Sequence, residues 1–466
     1  MSIDPGEQAR QGAKLGDEAV TEFDVDRETA QPEVRIGAGS ALSLAARLFG
    51  LGTSFIIGVL IARTLGVAGK GTLYAVMQVP GLLLIALDLG ISTSNIYFVS
   101  RGELKPGTVA ANSAVIAAGL GVLGAPLIYL LLNGRFAVVP GIPTIAIVFA
   151  MLILPAGLFA SWLQSVSIGT GNLVLPLWYS IASASTTLIG ITILFATHRG
   201  SVGEVVAVST AGTLVGVTLF LLGLRKELRP FSPDLSAAKV ASGFSLRVYL
   251  SDLAGTLHNR QDVLVLGWLA GASAVGLYSV STSFAELTWY IPSALGVAII
   301  AKGGRTSEAS GVDYVTRSAR ISVIFMAITA TVSVVLVPIV IPLLYGTAFL
   351  PAAFAFYALL PGVLCDGVTR ILWNYQTTRG RLYWRQAIAS TVLNVIAVIA
   401  LVPILGPVGA GLASTISYVA IGVFVLYRFC ADTGARASQV LMPTAEDARI
   451  VVRTVRRLVT GDKTVD

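Results

Sequence analysis

Residues 66–76 read GVAGKGTLYAV, and residues 271–280 read GASAVGLYSV. Gly66 aligns with Gly271 and Gly71 with Gly276 at an offset of 205, while Tyr74 aligns with Tyr278 and Val76 with Val280 at 204. A one-residue gap reconciles the two registers. Four matches among small and apolar letters are too few to establish a repeat, so the surroundings of each phrase decide.

Those surroundings are apolar. Of the 466 residues, 55% are hydrophobic and 12% charged, about half the charge of a soluble domain. A hydrocarbon core about 30 Å thick needs roughly 20 helical residues to cross it. Twelve stretches qualify, at 37–62, 72–100, 107–132, 142–168, 173–197, 202–223, 242–269, 273–300, 317–344, 351–378, 383–403 and 407–429. They recur with internal Pro and Gly, as membrane helices do, and lack the shorter alternating pattern of barrel strands. The first begins after 35 polar residues and is too long for a signal h-region, so no cleaved signal peptide is expected.

The first phrase joins spans one and two, and the second joins spans seven and eight. They therefore mark equivalent points in two six-span halves. A fainter echo links Ile181-Ala182-Ser183 to Ile388-Ala389-Ser390 at 207. Six is even, so both halves enter the membrane from the same side, related by a pseudo-two-fold along its normal. The expectation is an all-α polytopic membrane protein of about 12 transmembrane helices in two pseudo-symmetric six-helix lobes around a central cavity. The N-lobe covers 36–230 and the C-lobe 231–430.

Lys and Arg orient the chain. With a cytoplasmic N-terminus, the inner segments hold 24 of them and the outer segments 4, namely Arg63, Lys70, Arg135 and Arg199. That asymmetry predicts cytoplasmic N- and C-termini and fits the twelve-span count. It also accounts for the net charge of +7 as topology and headgroup contact, with no aromatic-basic platform for nucleic acid. The tails differ. Residues 1–35 carry nine acidic and four basic residues without an apolar face, which predicts a disordered cytoplasmic tail. The cytoplasmic segment 431–466 contains PTAEDARIVVRTVRRLVTG at 443–461. Thr444 and Asp447 have capping-box spacing, and a basic amphipathic helix is expected on the anionic inner leaflet. The alternative is a solvated helix packed on the loops.

Several chemistries are disfavoured. Cys365 and Cys430 offer neither a disulfide framework nor metal spacing, and with two histidines in all no metal or cofactor is expected. The stretch Gly66-Val67-Ala68-Gly69-Lys70-Gly71-Thr72 misses the nucleotide-binding spacing and falls on the outer side.

LIARTLGVAGKGTLYAV at 60–76, LDLGISTSNIYFVSRG at 87–102 and HNRQDVLVLGWLAGASAVGLYSV at 258–280 resemble the polysaccharide (oligosaccharide) flippases of the multidrug/oligosaccharidyl-lipid/polysaccharide exporter (MOP) superfamily. The resemblance runs from about Ile36 to Cys430. Its motifs are the Leu-Gly turn after span one, Asp88-Leu89-Gly90, and Asp262 before Gly276-Leu277-Tyr278. It implies a MATE-like fold of two lobes that work by alternating access in the cell (plasma or inner) membrane. It implies a cargo of polyprenyl-pyrophosphate-linked oligosaccharide, moved from inner to outer leaflet for cell-surface polysaccharide synthesis, with glycan-assembly enzymes as partners. No ATP site being present, a cargo with roughly two negative charges would draw about 4–5 kcal/mol per 100 mV from a negative-inside potential.

Ten charged or titratable residues fall within spans: Arg47, Asp88, Arg247, Asp252, His258, Arg260, Asp262, Glu286, Asp366 and Arg370. Facing lipid at mid-helix, each would cost about 2.5–3.5 kcal/mol, so they are expected to face protein or a watery cavity. Arg47, Arg247, Arg260 and Arg370 are candidate substrate ligands in a net-cationic cavity, because a guanidinium bonds two phosphate oxygens at once. Asp88, Asp252, Asp262, Glu286 and Asp366 are candidates for ion coupling or gating. Arg47 maps on Asp252 at 205, suggesting a gate pair. Asp88, Asp262 and Glu286 read equally as sites for a proton or sodium ion and as ion-pair partners. Asp366 and Arg370, spaced i, i+4, read equally as a structural pair. Trp162, Trp178, Trp289, Tyr290, Trp373 and Trp384 either stack on sugars or, for most, form an interface belt.

The rival readings are four, of which a membrane scaffold without transport would not need so many buried charges. A glycan polymerase or ligase would need a catalytic constellation, and the outer loops are short and poor in His, Asp and Glu, so no enzyme is expected. A multidrug cation exporter of the same fold would favour an acidic cavity. A flippase for the peptidoglycan precursor is a closer relative than that exporter.

Overall fold

The computed structural model describes residues 36–134, 137–198, 200–234, 246–289, 292–293, 295, 299, 308–379 and 384–460, with side chains outside 36–48, 246–252, 254–259, 308–310, 378, 384 and 454–460. The expected tail 1–35 lies outside the described residues. Among the described residues the regular elements are helical. They are α1 (Ile36–Ala86), α2 (Ile91–Ser100), α3 (Pro106–Leu132), α4 (Thr144–Gly169), α5 (Leu175–Ala196), α6 (Val202–Gly223), α7 (Leu246–Leu287), α8 (Glu308–Leu344), α9 (Ala352–Thr378), α10 (Trp384–Leu405), α11 (Pro407–Thr433), α12 (Ala437–Leu441) and α13 (Ala445–Thr460). Ten are long and apolar enough to cross a membrane.

Two of the ten each hold two crossings. α1 leaves helical geometry at Gly66 (φ 67°, ψ −172°) and α7 at Gly271 (φ 75°, ψ −174°), the same conformation at equivalent points of the repeat. Positive φ is available to glycine at no steric cost. Side chains show that the chain reverses there. Lys70 Nζ donates to Gly58 O at 3.2 Å, although these residues would stand about 18 Å apart along a straight helix. Tyr278 OH donates to Asp262, across what would be about 24 Å of straight helix. Both elements are hairpins, and the twelve expected crossings are recovered.

The hairpins meet on the pseudo-two-fold. A Cβ on Gly71 would lie 1.7 Å from Ala272 O, and one on Gly276 would lie 2.1 Å from Val67 O. Residues 67 and 272 are again 205 apart. Each lobe's glycine thus rests on the other lobe's carbonyl, and the phrase is written twice because the axis passes between its two copies. Aromatic packing extends the seam: Phe55 of α1 meets Phe284 and Tyr345 edge-on, both at 6.3 Å between centroids. Arg63 donates from Nε to Leu344 O at 2.7 Å and from Nη2 to Leu343 O at 2.6 Å. It caps the C-terminus of α8, where a cation complements the helix dipole.

The expected second span, 72–100, is interrupted. Leu89 (φ 51°) and Gly90 (φ 76°) are left-handed and separate α1 from α2. Non-helical backbone at membrane depth belongs beside a cavity, and Asp88 stands at this break.

Away from the seam apolar packing continues in both lobes, and one cluster of buried residues spans the two. In the N-lobe, Ile147, Leu154, Leu158 and Trp162 of α4 are buried against α3 and α6. In the C-lobe, Phe356 of α9 and Val425 and Phe429 of α11 are buried. Leu123, Ile339 and Ile404 are exposed on the outward faces, as suits a lipid-facing surface.

At the end opposite the hairpins, Thr444 and Asp447 form the capping interaction that their spacing predicts: Thr444 N and Oγ1 donate to Asp447 Oδ2 at 2.9 and 2.7 Å, and Asp447 N donates back at 3.3 Å. Arg320 Nε bonds the same carboxylate at 2.6 Å, and Arg317 pairs with Glu446 at 2.6 Å. The start of α13 is therefore docked on α8. Val451 is buried, while Arg449, Val452 and Arg453 are exposed.

Candidate functional site

Two pockets, each with charged or polar groups among apolar walls, share walls from α1 and α7. Arg260 and Leu253 line one pocket each. Seven residues apart, they occupy one face of α7 about 10 Å from each other along its axis.

The pocket nearer the hairpins is narrow, about 20 Å³, and belongs mostly to the C-lobe. Arg260 Nη1 pairs with Glu286 Oε1 at 3.0 Å and donates to Tyr74 OH at 3.2 Å. Beside the pocket's Trp289, and not itself in the pocket lining, Arg370 donates from Nε to Asp366 Oδ2 at 2.6 Å. Its guanidinium carbon lies 4.1 Å from the centre of the Trp289 ring, a cation–π arrangement. Trp289 is itself held by a bond from Nε1 to Val363 O at 3.2 Å. The Asp366 and Trp289 contacts fix the plane of Arg370 and leave both terminal nitrogens without an acceptor among the described residues. The side chain is 32% exposed, against 8% for Asp366.

Asp262 stands deeper. It accepts from Tyr278 OH, from Ser414 Oγ at 3.0 Å and from Val263 N at 2.9 Å. Asn394 extends the network, donating to Ser414 at 3.3 Å and Ser417 at 3.1 Å and accepting from Gln261 at 2.9 Å. The repeated tyrosines thus share one task. Tyr74 and Tyr278 each place a hydroxyl against a charged residue of α7's first arm.

The second pocket, about 340 Å³, lies at the α1–α2 break. Asp88 Oδ1 accepts from Trp162 Nε1 at 2.8 Å and from Ser92 Oγ at 2.5 Å. Ser161 stands 3.4 Å from Ser92. Among the described residues Asp88 has no ion-pair partner, and its Oδ2 has no hydrogen-bond donor.

Several expectations change. The described cluster is not net cationic, since Arg260 and Arg370 stand among Asp262, Glu286 and Asp366. Glu286 and Asp366 are ion-pair partners, whereas Asp88 and Asp262 are not. Trp162 is fully buried, bonding a carboxylate rather than lying in an interface belt. The side chains of Arg47, Arg247, Asp252 and His258 lie outside the described residues, and with them the Arg47–Asp252 gate pair. Arg63, Tyr74 and Ser414 were not among the sequence candidates. Only Tyr74 carried a signal, as a member of the repeat.

The profile of the family described as "Polysaccharide biosynthesis protein" matches residues 36–300. The chain belongs to this family. No curated protein matches the sequence. Among solved structures, the family member is similar to a lipid II flippase MurJ in an inward closed conformation, with TM-score 0.67 and 14% identity over 92% of this chain and 93% of that one. It is similar to an inward-facing multidrug resistance MATE transporter of the MOP superfamily, with TM-score 0.65 and 15% identity over 84% and 96%. The outward-facing conformation of such a transporter fits with TM-score 0.55 and 15% identity over 85% and 95%. The chain has the fold of the MOP transporters, and its structural neighbours are transporters and flippases of multi-pass membrane type.

Proposed function

We propose that this protein flips a polyprenyl-pyrophosphate-linked oligosaccharide from the inner to the outer leaflet of the cell membrane by alternating access. Both termini are cytoplasmic in this reading, and the glycine seam closes the outer side. The observation that carries the proposal is Arg370. Its guanidinium is planar, oriented by Asp366 and Trp289, and open at the terminal nitrogens inside a membrane-spanning bundle of a polysaccharide-biosynthesis family member. A diphosphate is the natural occupant of such a fork. Arg260 is the second ligand, with Arg47 and Arg247 as further candidates. The better fit to the inward-facing than to the outward-facing transporter (TM-scores 0.65 and 0.55) supports reading this state as loading from inside.

Asp262 is the coupling carboxylate in this scheme, because it meets hydroxyls and an amide rather than a paired guanidinium. The exposed arginines of α13 lie on anionic inner-leaflet lipid, and glycan-assembly enzymes supply the cargo.

The test is depletion in the native host, with mass spectrometry and impermeant labelling of lipid-linked saccharides. One defined lipid-linked oligosaccharide accumulates on the cytoplasmic face if the proposal holds. Accumulation of peptidoglycan precursor would transfer the protein to the other flippase reading, favoured by the MurJ-like fold. Sensitivity to cationic drugs without accumulation would point to an exporter.

A further inference from the structure

The pocket at the α1–α2 break differs chemically from the arginine pocket. Its described lining offers one carboxylate and the hydroxyls of Ser92, Thr93 and Ser161, set among Leu84, Ile85, Leu158 and Leu253. The described lining includes no Lys, Arg or His. It includes no aromatic face, on which an organic cation would be held. A metal ion with six or more oxygen ligands finds one carboxylate with one oxygen already committed. What remains is a set of acceptors and donors suited to neutral hydroxyl groups.

The carboxylate is also pre-set. Trp162, fully buried, donates to Asp88 Oδ1 at 2.8 Å, and Ser92 donates to the same oxygen. Oδ2 is left as an oriented acceptor with no donor among the described residues. An ionised acceptor makes strong hydrogen bonds, so a ligand hydroxyl that reaches Oδ2 is rewarded. Leu253 and Arg260 place this pocket about 10 Å along α7 from the arginines. One ligand with an anionic end and a hydroxyl-rich end can therefore span both.

We propose that the pocket of Asp88, Ser92, Thr93 and Ser161 is a glycan subsite, which takes neutral sugar hydroxyls while the arginine pocket holds the diphosphate. This rests on the flippase reading and deepens it. It assigns sugar recognition to the α1–α2 break and anion recognition to the arginines, and it makes Asp88 a substrate ligand rather than a coupling site.

The experiment compares two probes on the purified full-length protein in nanodiscs: a bare polyprenyl diphosphate, and the same lipid carrying a neutral trisaccharide. Affinities are read by native mass spectrometry. The wild type binds the trisaccharide lipid at least tenfold more tightly than the bare lipid. Ser161→Leu and Asp88→Leu each abolish that difference and leave the bare-lipid affinity within twofold. Asp88→Asn, which keeps an acceptor oxygen but cannot ionise, retains most of the difference. Ser161→Leu leaves the Trp162–Asp88 bond in place and serves if Asp88→Leu does not fold. Equal affinity of the wild type for both probes overturns the subsite while leaving the diphosphate site standing. Loss of both affinities together in Ser161→Leu overturns it too, as does Asp88→Asn behaving like Asp88→Leu with pH-dependent wild-type binding. If neither probe binds the wild type, the flippase reading fails, and the subsite with it.

Discussion

At the scale of single residues, the question is whether an intramembrane charge serves the cargo or its neighbour. Arg370 does both, since Nε is held by Asp366 and the outer nitrogens are open. If the pair were only structural, removing both charges would be tolerated, as replacing paired buried ions often is. The expectation is otherwise. Arg370→Gln and the double change Arg370→Gln/Asp366→Asn both lose more than tenfold in transport, with the double variant the better folded of the two. Arg370→Lys retains charge but loses the fork and falls between. Thermal unfolding in detergent and a flipping assay read the two effects separately. Asp262 gives a second expectation. Asp262→Leu orphans hydroxyls of Tyr278 and Ser414, at about 1–3 kcal/mol for each group left unsatisfied, and lowers the melting temperature. Asp262→Asn keeps acceptors in place and restores most of it. These roles were partly legible. The i, i+4 spacing gave the Asp366–Arg370 pair, and the cost of charge in lipid singled out Asp88 and Asp262. The Trp162–Asp88 bond was not legible, because it joins α4 to the α1–α2 break, and nothing in either stretch names the other.

At the scale of elements, the hairpin seam and the tail helix each make a prediction. The seam leaves no room for a side chain at Gly71 or Gly276, and Arg63 ties α1 to the last carbonyls of α8. Gly71→Ala and Arg63→Gln should therefore weaken closure at the hairpin end. With Cys365 and Cys430 replaced, a Thr282→Cys reporter in the arginine pocket should label faster with an impermeant thiol reagent added from outside, by several-fold over the same reporter alone. Unchanged labelling would remove these residues from the gate. The tail helix is held by Asp447. Burial pushes its carboxyl up, but the bonds from Arg320 and Thr444 outweigh this and hold it down at about 2, below the ordinary value near 3.9. A depressed carboxylate stabilises above its unfolded value, and that stabilisation is lost as pH falls through the folded one. Docking of α13 should therefore be constant from about pH 8 to about pH 5 and weaken only between about pH 4 and pH 2. Asp447→Asn should loosen it throughout, read as faster tryptic cleavage at Arg449 and Arg453. Span positions followed from length and apolarity, and the capping box of α13 from two letters. The break at Leu89-Gly90 was missed, because an apolar run reads the same whether or not its backbone turns inside it.

At the scale of the whole molecule, the repeat carries most of the information. Two phrases 205 residues apart gave the lobes and the axis between them, and the structure adds why: glycine is needed where two backbones touch, on both sides of a two-fold. The charge distribution was less legible. A count of intramembrane arginines suggests a cationic cavity, yet each described arginine brings a carboxylate with it, because a desolvated cation without a partner is costly. What the symmetry does not repeat is the chemistry. Among the described residues, the C-lobe pocket offers a guanidinium and the N-lobe pocket a carboxylate among hydroxyls. The most direct test of the central claim is a flip assay with the purified protein in liposomes. A labelled polyprenyl-diphosphate oligosaccharide is placed in both leaflets, and an impermeant glycosidase is added outside. The account predicts that the enzyme digests the whole pool when the protein is present and only the outer-leaflet pool when it is absent or carries Arg370→Gln. An inner pool that stays protected beside the folded wild-type protein, with a membrane potential imposed, would contradict it.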